Sequence, residues 1–171
     1  VQFLLIDTDN PVSGSEDLGR TDHYLSIGNP NGDVGASGVI TRADASVTGT
    51  GSLVFGGSLS NTFSCLGIGL TTEIGAGITV RGAGGRLGSS FCPVLNHGTV
   101  HVDTLGDGLT VHFADTGFAS TGTLRVSAGT LTVDGNWAAG STEITGGTLN
   151  LKGDFATSSL GTFSRGANGT A

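Results

Sequence analysis

Short runs in which apolar and polar residues alternate recur along most of this chain, and two neighbouring runs show the pattern best. Gly129-Thr-Leu-Thr-Val-Asp-Gly-Asn-Trp137 and Gly147-Thr-Leu-Asn-Leu-Lys-Gly-Asp-Phe155 align position by position at an offset of 18 residues. The period of two in Leu131/Val133 and Leu149/Leu151 predicts short strands with one buried face. A glycine follows each run at the same place, and an aromatic residue closes it. A unit this small cannot bury its apolar face alone, so its neighbours must stack on it.

Similar tetrads occur earlier: Leu25-Ser-Ile-Gly28, Leu53-Val-Phe-Gly56, Ile78-Thr-Val-Arg81 and Leu109-Thr-Val-His112. A second strand precedes most of them: Ala45–Val47, Thr72–Ile74, Val100–Val102, Leu124–Val126 and Thr142–Ile144. Each coil thus has at least two short strands, with glycine at the corners, where positive φ is needed. The spacing between tetrads varies, so coils expand by loops, mainly at 57–71 and 82–97. Long amphipathic helical patterning is absent, and the unit length suits coils better than four-stranded propeller blades. The expected fold is all-β: a single-domain parallel β-helix, or solenoid, of about six or seven coils with irregular loop expansions. Six coils at about 4.8 Å each make a rod on the order of 30 Å long.

Three segments are expected. Residues 1–24 form an N-terminal strand and cap, 25–163 the β-helix repeats, and 164–171 a C-terminal tail. Within the first, Phe3, Leu4, Leu5 and Ile6 read as a strand that either caps the first coil or adds to a neighbouring molecule. Nothing after Asn150 resembles a helical or charged cap.

Composition narrows the function. The chain has 171 residues, 32 of them glycine, with 12% charged residues and a net charge of −7. Lys152 is the single lysine, so there is no basic stripe to displace counterions and no nucleic-acid partner is expected. No apolar run approaches the roughly 18 residues of a membrane helix, so no transmembrane segment is expected. The opening Val-Gln-Phe-Leu-Leu-Ile is too short for a signal peptide. The first residue is not Met, which reads as a processed product or a piece of something longer. Cys65 and Cys92 fall in the two loop expansions, one coil apart, where a disulfide would tie the loops together.

The Thr-Leu-Thr-Val-Asp-Gly-Asn-Trp and Gly-Gly-Thr-Leu-Asn-Leu-Lys-Gly-Asp-Phe runs resemble autotransporter-associated β-strand repeats. Tyr24-Leu-Ser-Ile-Gly-Asn29 through Gly35-Ala-Ser-Gly-Val-Ile40 is similar to other units of the same exported proteins. The resemblance covers roughly residues 24–163. It implies an extracellular or cell-surface β-helix of bacterial type, adhesive or structural, and it carries over no catalytic residues.

Stacking the tetrads sets Arg81, His112, Asp134 and Lys152 in one outward charge column, with Glu73, His101, Arg125 and Glu143 beside it. His112 with Asp134 would suit a general base and its orienter, but no nucleophile occupies a matching position. A solvated ladder of opposite charges is the simpler reading. Thr79, Thr110, Thr132 and Asn150 form a further column, though an ice-binding face needs two such columns. Trp137 and Phe155, with Phe118 before them, are stacked aromatics that either fill a coil or face sugar rings. Asp7, Asp9, Glu16 and Asp17, or Asp103 with Asp107, are the candidate calcium ligands. His23, His97, His101 and His112 lack zinc spacing. No cofactor or metal is expected, and no enzymatic activity.

The expected function is an exported structural or adhesive solenoid, joining end to end into a homo-oligomer or filament. A surface glycan is a further candidate partner. The rival readings are a carbohydrate-active β-helix, such as a polysaccharide lyase or glycoside hydrolase, and an ice- or surface-binding solenoid.

Overall fold

The computed structural model describes residues 2–6, 24–27, 37–106, 108–112 and 120–171, with the backbone alone for 2–6, 24–26 and 37. In chain order the first strands are β1 (Gln2–Ile6), β2 (Tyr24–Ile27), β3 (Ser37–Thr41), β4 (Ala45–Val47), β5 (Gly51–Phe55) and β6 (Thr62–Cys65). Next come β7 (Thr72–Ile74), β8 (Ile78–Gly82), β9 (Gly84–Leu87), β10 (Val94–Asn96), β11 (Thr99–Val102) and β12 (Gly108–His112). The last are β13 (Thr123–Val126), β14 (Thr130–Asp134), β15 (Ser141–Ile144), β16 (Thr148–Leu151) and β17 (Thr162–Arg165). A short 3-10 helix, Thr157–Leu160, precedes β17.

These strands build three parallel sheets. Sheet I stacks β1, β3, β6, β9, β12, β14 and β16; sheet II stacks β2, β5, β8, β11, β13, β15 and β17; sheet III holds β4, β7 and β10. The chain visits sheets I, III and II in turn and then starts the next coil. Beyond β10 the third side continues as a hydrogen-bonded ladder without formal strands: Gly122 N–H donates to Asn96 O at 3.0 Å and Gly140 N–H to Gly122 O at 2.9 Å. The result is a β-solenoid of about five turns. That is slightly fewer than the six or seven coils expected, because the outermost strands of each sheet belong to incomplete turns.

Alternation places one face of most of the strands inside. Leu53, Val80, Val100 and Leu124 form one inward row of sheet II, and Leu109, Leu131 and Leu149 one of sheet I. All seven are at most 1% exposed. Each such side chain contributes roughly 1.5–3 kcal/mol by leaving water. Some corners admit no side chain. A Cβ on Gly153 (φ +81°) would lie 2.2 Å from the carbonyl oxygen of Gly135, its counterpart one coil below.

The ends depart from the expected segments. β1 pairs in parallel with β3 of the same chain, Phe3 opposite Gly38 and Ile6 opposite Thr41. Residues 3–6 therefore extend sheet I within the chain, and one edge of that strand is already taken. At the other end β17 crosses the boundary set at 163 and pairs with β15. The tail beyond it is not free either: Leu149 N–H donates to Thr170 O at 2.9 Å, and Thr170 N–H to Gly147 O at 3.0 Å.

Candidate functional site

The outward face of sheet II carries the densest charge. Residue upon residue, Val54, Arg81, His101, Arg125, Glu143 and Ser164 stack in one column. Arg125 Nε lies 3.4 Å from Glu143 Oε2, and Arg81 Nη1 lies 3.6 Å from Asp103 Oδ2. His101 Nε2 is 2.8 Å from Ser127 Oγ. Burial holds the His101 pKa below its ordinary value, helped by Arg125 and Arg81 and opposed by Asp103 and Glu143. Beside this column runs one of hydroxyls: Ser52, Thr79, Thr99, Thr123, Ser141 and Thr162.

Sheet I carries a smaller group. His112 pairs in register with Asp134, Nδ1 to Oδ2 at 3.9 Å. Thr110, Thr132 and Asn150 stack beside them. The His112 side chain is 15% exposed, and its Nε2 is buried without a hydrogen-bond partner. On the coil below stands Gly88, where a Cβ would lie 2.8 Å from His112 O. No nucleophile therefore adjoins the imidazole in its own column.

Three expected column members belong elsewhere. Arg81 lies in sheet II and stacks on His101, not on His112. Thr79 likewise joins the hydroxyl column of sheet II, away from Thr110. Glu73 lies in sheet III, where Oε1 faces His97 Nε2 at 3.9 Å. The cause is a change of sheet: Ile78–Arg81 lies in sheet II, whereas Leu109–His112 lies in sheet I. Lys152 follows Leu151 of β16, and among the described residues no ion pair joins it to Asp134. With a charged column beside the hydroxyls of sheet II, that face has no second Thr column.

Cys65 and Cys92 form a disulfide, Cα to Cα 5.4 Å, across a sequence separation of 27. It clamps the loops that follow β6 and β9, which expose Leu66 (63%), Ile68 (91%) and Phe91 (65%). Trp137 and Phe155 stack with ring centroids 5.2 Å apart. Trp137 is 2% exposed and belongs to the core, while Phe155, 42% exposed, covers it. The indole Nε1 donates to Lys152 O at 3.3 Å. A sugar platform would have one ring face available here, not a row.

An uncapped C-terminal end is expected from the sequence, but the strand that forms it in sheet II, β17, is not marked there. All four residues of β17 are exposed, Phe163 by 44%. Thr162-Phe-Ser-Arg165 has only one apolar residue, so alternation alone did not mark it as a strand. Among the described residues no group of three or more His, Cys, Asp or Glu is placed to hold a metal ion. Asp7, Asp9, Glu16, Asp17, His23, Asp107 and Phe118 lie outside the described residues, as does part of the Tyr24–Ile40 resemblance. No described helix is long and apolar enough to cross a membrane. No family model matches the chain, and neither a curated protein nor a solved structure matches it.

Proposed function

We propose that this chain is an exported, non-enzymatic structural or adhesive β-solenoid. It joins end to end into a fibre or forms part of a longer surface rod. The observation that carries this reading is the last strand of sheet II, which has one edge on β15 and four exposed residues. A strand edge left open in this way is a template for further pairing. The contact it invites joins unlike ends, so it need not close on itself. The resemblance of the 129–155 repeat to autotransporter-associated units supports a cell-surface setting, as does the buried disulfide.

Light scattering over a concentration series, followed by electron microscopy, tests the proposal. Filaments or rods whose mass grows with concentration are expected. A monodisperse monomer at the highest attainable concentration would falsify end-to-end joining.

A further inference from the structure

We infer that the C-terminal end of the solenoid docks a second copy of this chain along the outer edge of β17, while residues 166–171 act as a removable cover over the adjoining edge of sheet I. This rests on the end-to-end reading above and says which strand makes the joint. Thr162 N–H donates to Gly140 O at 3.1 Å, and Gly166 N–H donates to Ile144 O at 2.7 Å. Backbone donors alternate sides along a strand, so the N–H groups of Phe163 and Arg165 point off the end of the rod. Phe163 also continues the inward row of Leu53, Val80, Val100, Leu124 and Thr142. The other members of that row are at most 1% exposed, whereas Phe163 is 44% exposed. One more parallel strand would give the donors acceptors and place a side chain over the ring.

Sheet I ends differently. The backbone of Thr170 occupies the outward donor of Leu149, as a strand of the next coil would. On the way there the tail crosses the end of the core. Gly169 is buried, and a Cβ at that position would lie 2.5 Å from Ile144 Cγ2 and 2.9 Å from Ile144 O. The tail therefore closes one half of the end, and among the described residues no strand covers the other half.

A second copy fits this edge better than an unrelated strand. β2 stands at the opposite end of the same sheet. Laid on β17 it prolongs sheet II in parallel, and Leu25, which pairs with Leu53, takes the row position above Phe163.

Sedimentation velocity and electron microscopy on full-length variants test this. Arg165→Pro deletes an outward donor and spares those facing β15, a placement that edge strands tolerate; Arg165→Ala is its control. Thr170→Pro deletes the donor to Gly147 O and frees the cover. Circular dichroism verifies that each variant is folded, and Phe163→Asp, which keeps every backbone donor, serves if Arg165→Pro is not. Expected are association weakened about tenfold by Arg165→Pro (or Phe163→Asp) relative to Arg165→Ala, and strengthened about threefold by Thr170→Pro. Wild-type association in both edge variants overturns the assignment of β17 but leaves end-to-end joining through another surface intact. An unchanged Thr170→Pro protein overturns the cover. If neither wild type nor Thr170→Pro associates at any concentration, the end-to-end reading itself falls. A monomer that instead captures an extended peptide on β17 overturns the choice of a second copy as occupant.

Discussion

The ring of Phe155 lies over that of Trp137, with centroids 5.2 Å apart and planes inclined by 29°. The two residues occupy the same place in consecutive repeats, yet they do different work because Trp137 has a coil above it and Phe155 does not. Trp137→Ala should cost about 3–5 kcal/mol by opening a cavity. Phe155→Ala should cost nearer 1 kcal/mol, since much of its surface already meets water. Urea midpoints of the two variants give the comparison, and equal losses would contradict this division of roles.

The disulfide closes a loop with a sequence separation of 27. Chain entropy alone then assigns it about 3–4 kcal/mol of stabilisation. Replacing both Cys65 and Cys92 by Ala should lower the urea midpoint accordingly. Both sulfurs are in buried residues (6% and 0% exposed), so a reductant should reach them only after local opening. Alkylation after mild reduction, followed by mass spectrometry, should label the urea-treated chain and spare the native one. Rapid labelling under native conditions would show a looser corner than the one described.

Gly153 and Gly49 separate two costs of a side chain at a corner. Both have positive φ, +81° and +94°. Around Gly49 nothing lies within 4 Å of an added Cβ, whereas at Gly153 the Gly135 oxygen is 2.2 Å away. Gly49→Ala should cost about 1–2 kcal/mol, the backbone penalty alone. Gly153→Ala should cost clearly more, because the coil below must also shift. Chemical unfolding of the two variants decides it, and equal values would mean that the stacked backbones can part without strain.

His101 ties stability to pH. Its folded pKa lies below the ordinary 6.5, chiefly through burial, so the unfolded chain takes up the proton first. The stabilising contribution is present above the unfolded value and is lost as pH falls through it toward the folded one. Wild type should therefore weaken relative to His101→Gln as pH drops from about 8 to 5. Parallel stability curves over that range would remove His101 from the account.

The stacking of Leu131 on Leu149 is legible in the sequence because 129–155 repeats without loops, and that of His112 on Asp134 because Leu109-Thr-Val-His112 matches Leu131-Thr-Val-Asp134. Upstream the pattern misleads. Sheets I and II use the same apolar alternation, and β9 breaks it with Gly84 and Gly85, the latter pressed against Phe55. Without an apolar pair there, the tetrad pattern joins Ile78–Arg81 to Leu109–His112, a strand of another sheet. Sheet III was hard to separate for a related reason: its strands are three residues long, too short to show a period of their own. The tail was opaque because what holds it is backbone hydrogen bonding at Thr170 and the smallness of Gly169, and neither leaves an apolar signature.

Every pairing between the named strands is parallel, and each strand is hydrogen-bonded only to strands of the coil before or the coil after it. A wall laid in this manner has no keystone and no set number of courses. The 18-residue step from Thr130 to Thr148, paired directly across β14 and β16, is the smallest brick from which such a wall is built. Gene duplication in whole bricks lengthens it without redesigning either end, whereas any fractional insertion has to bulge out as a loop.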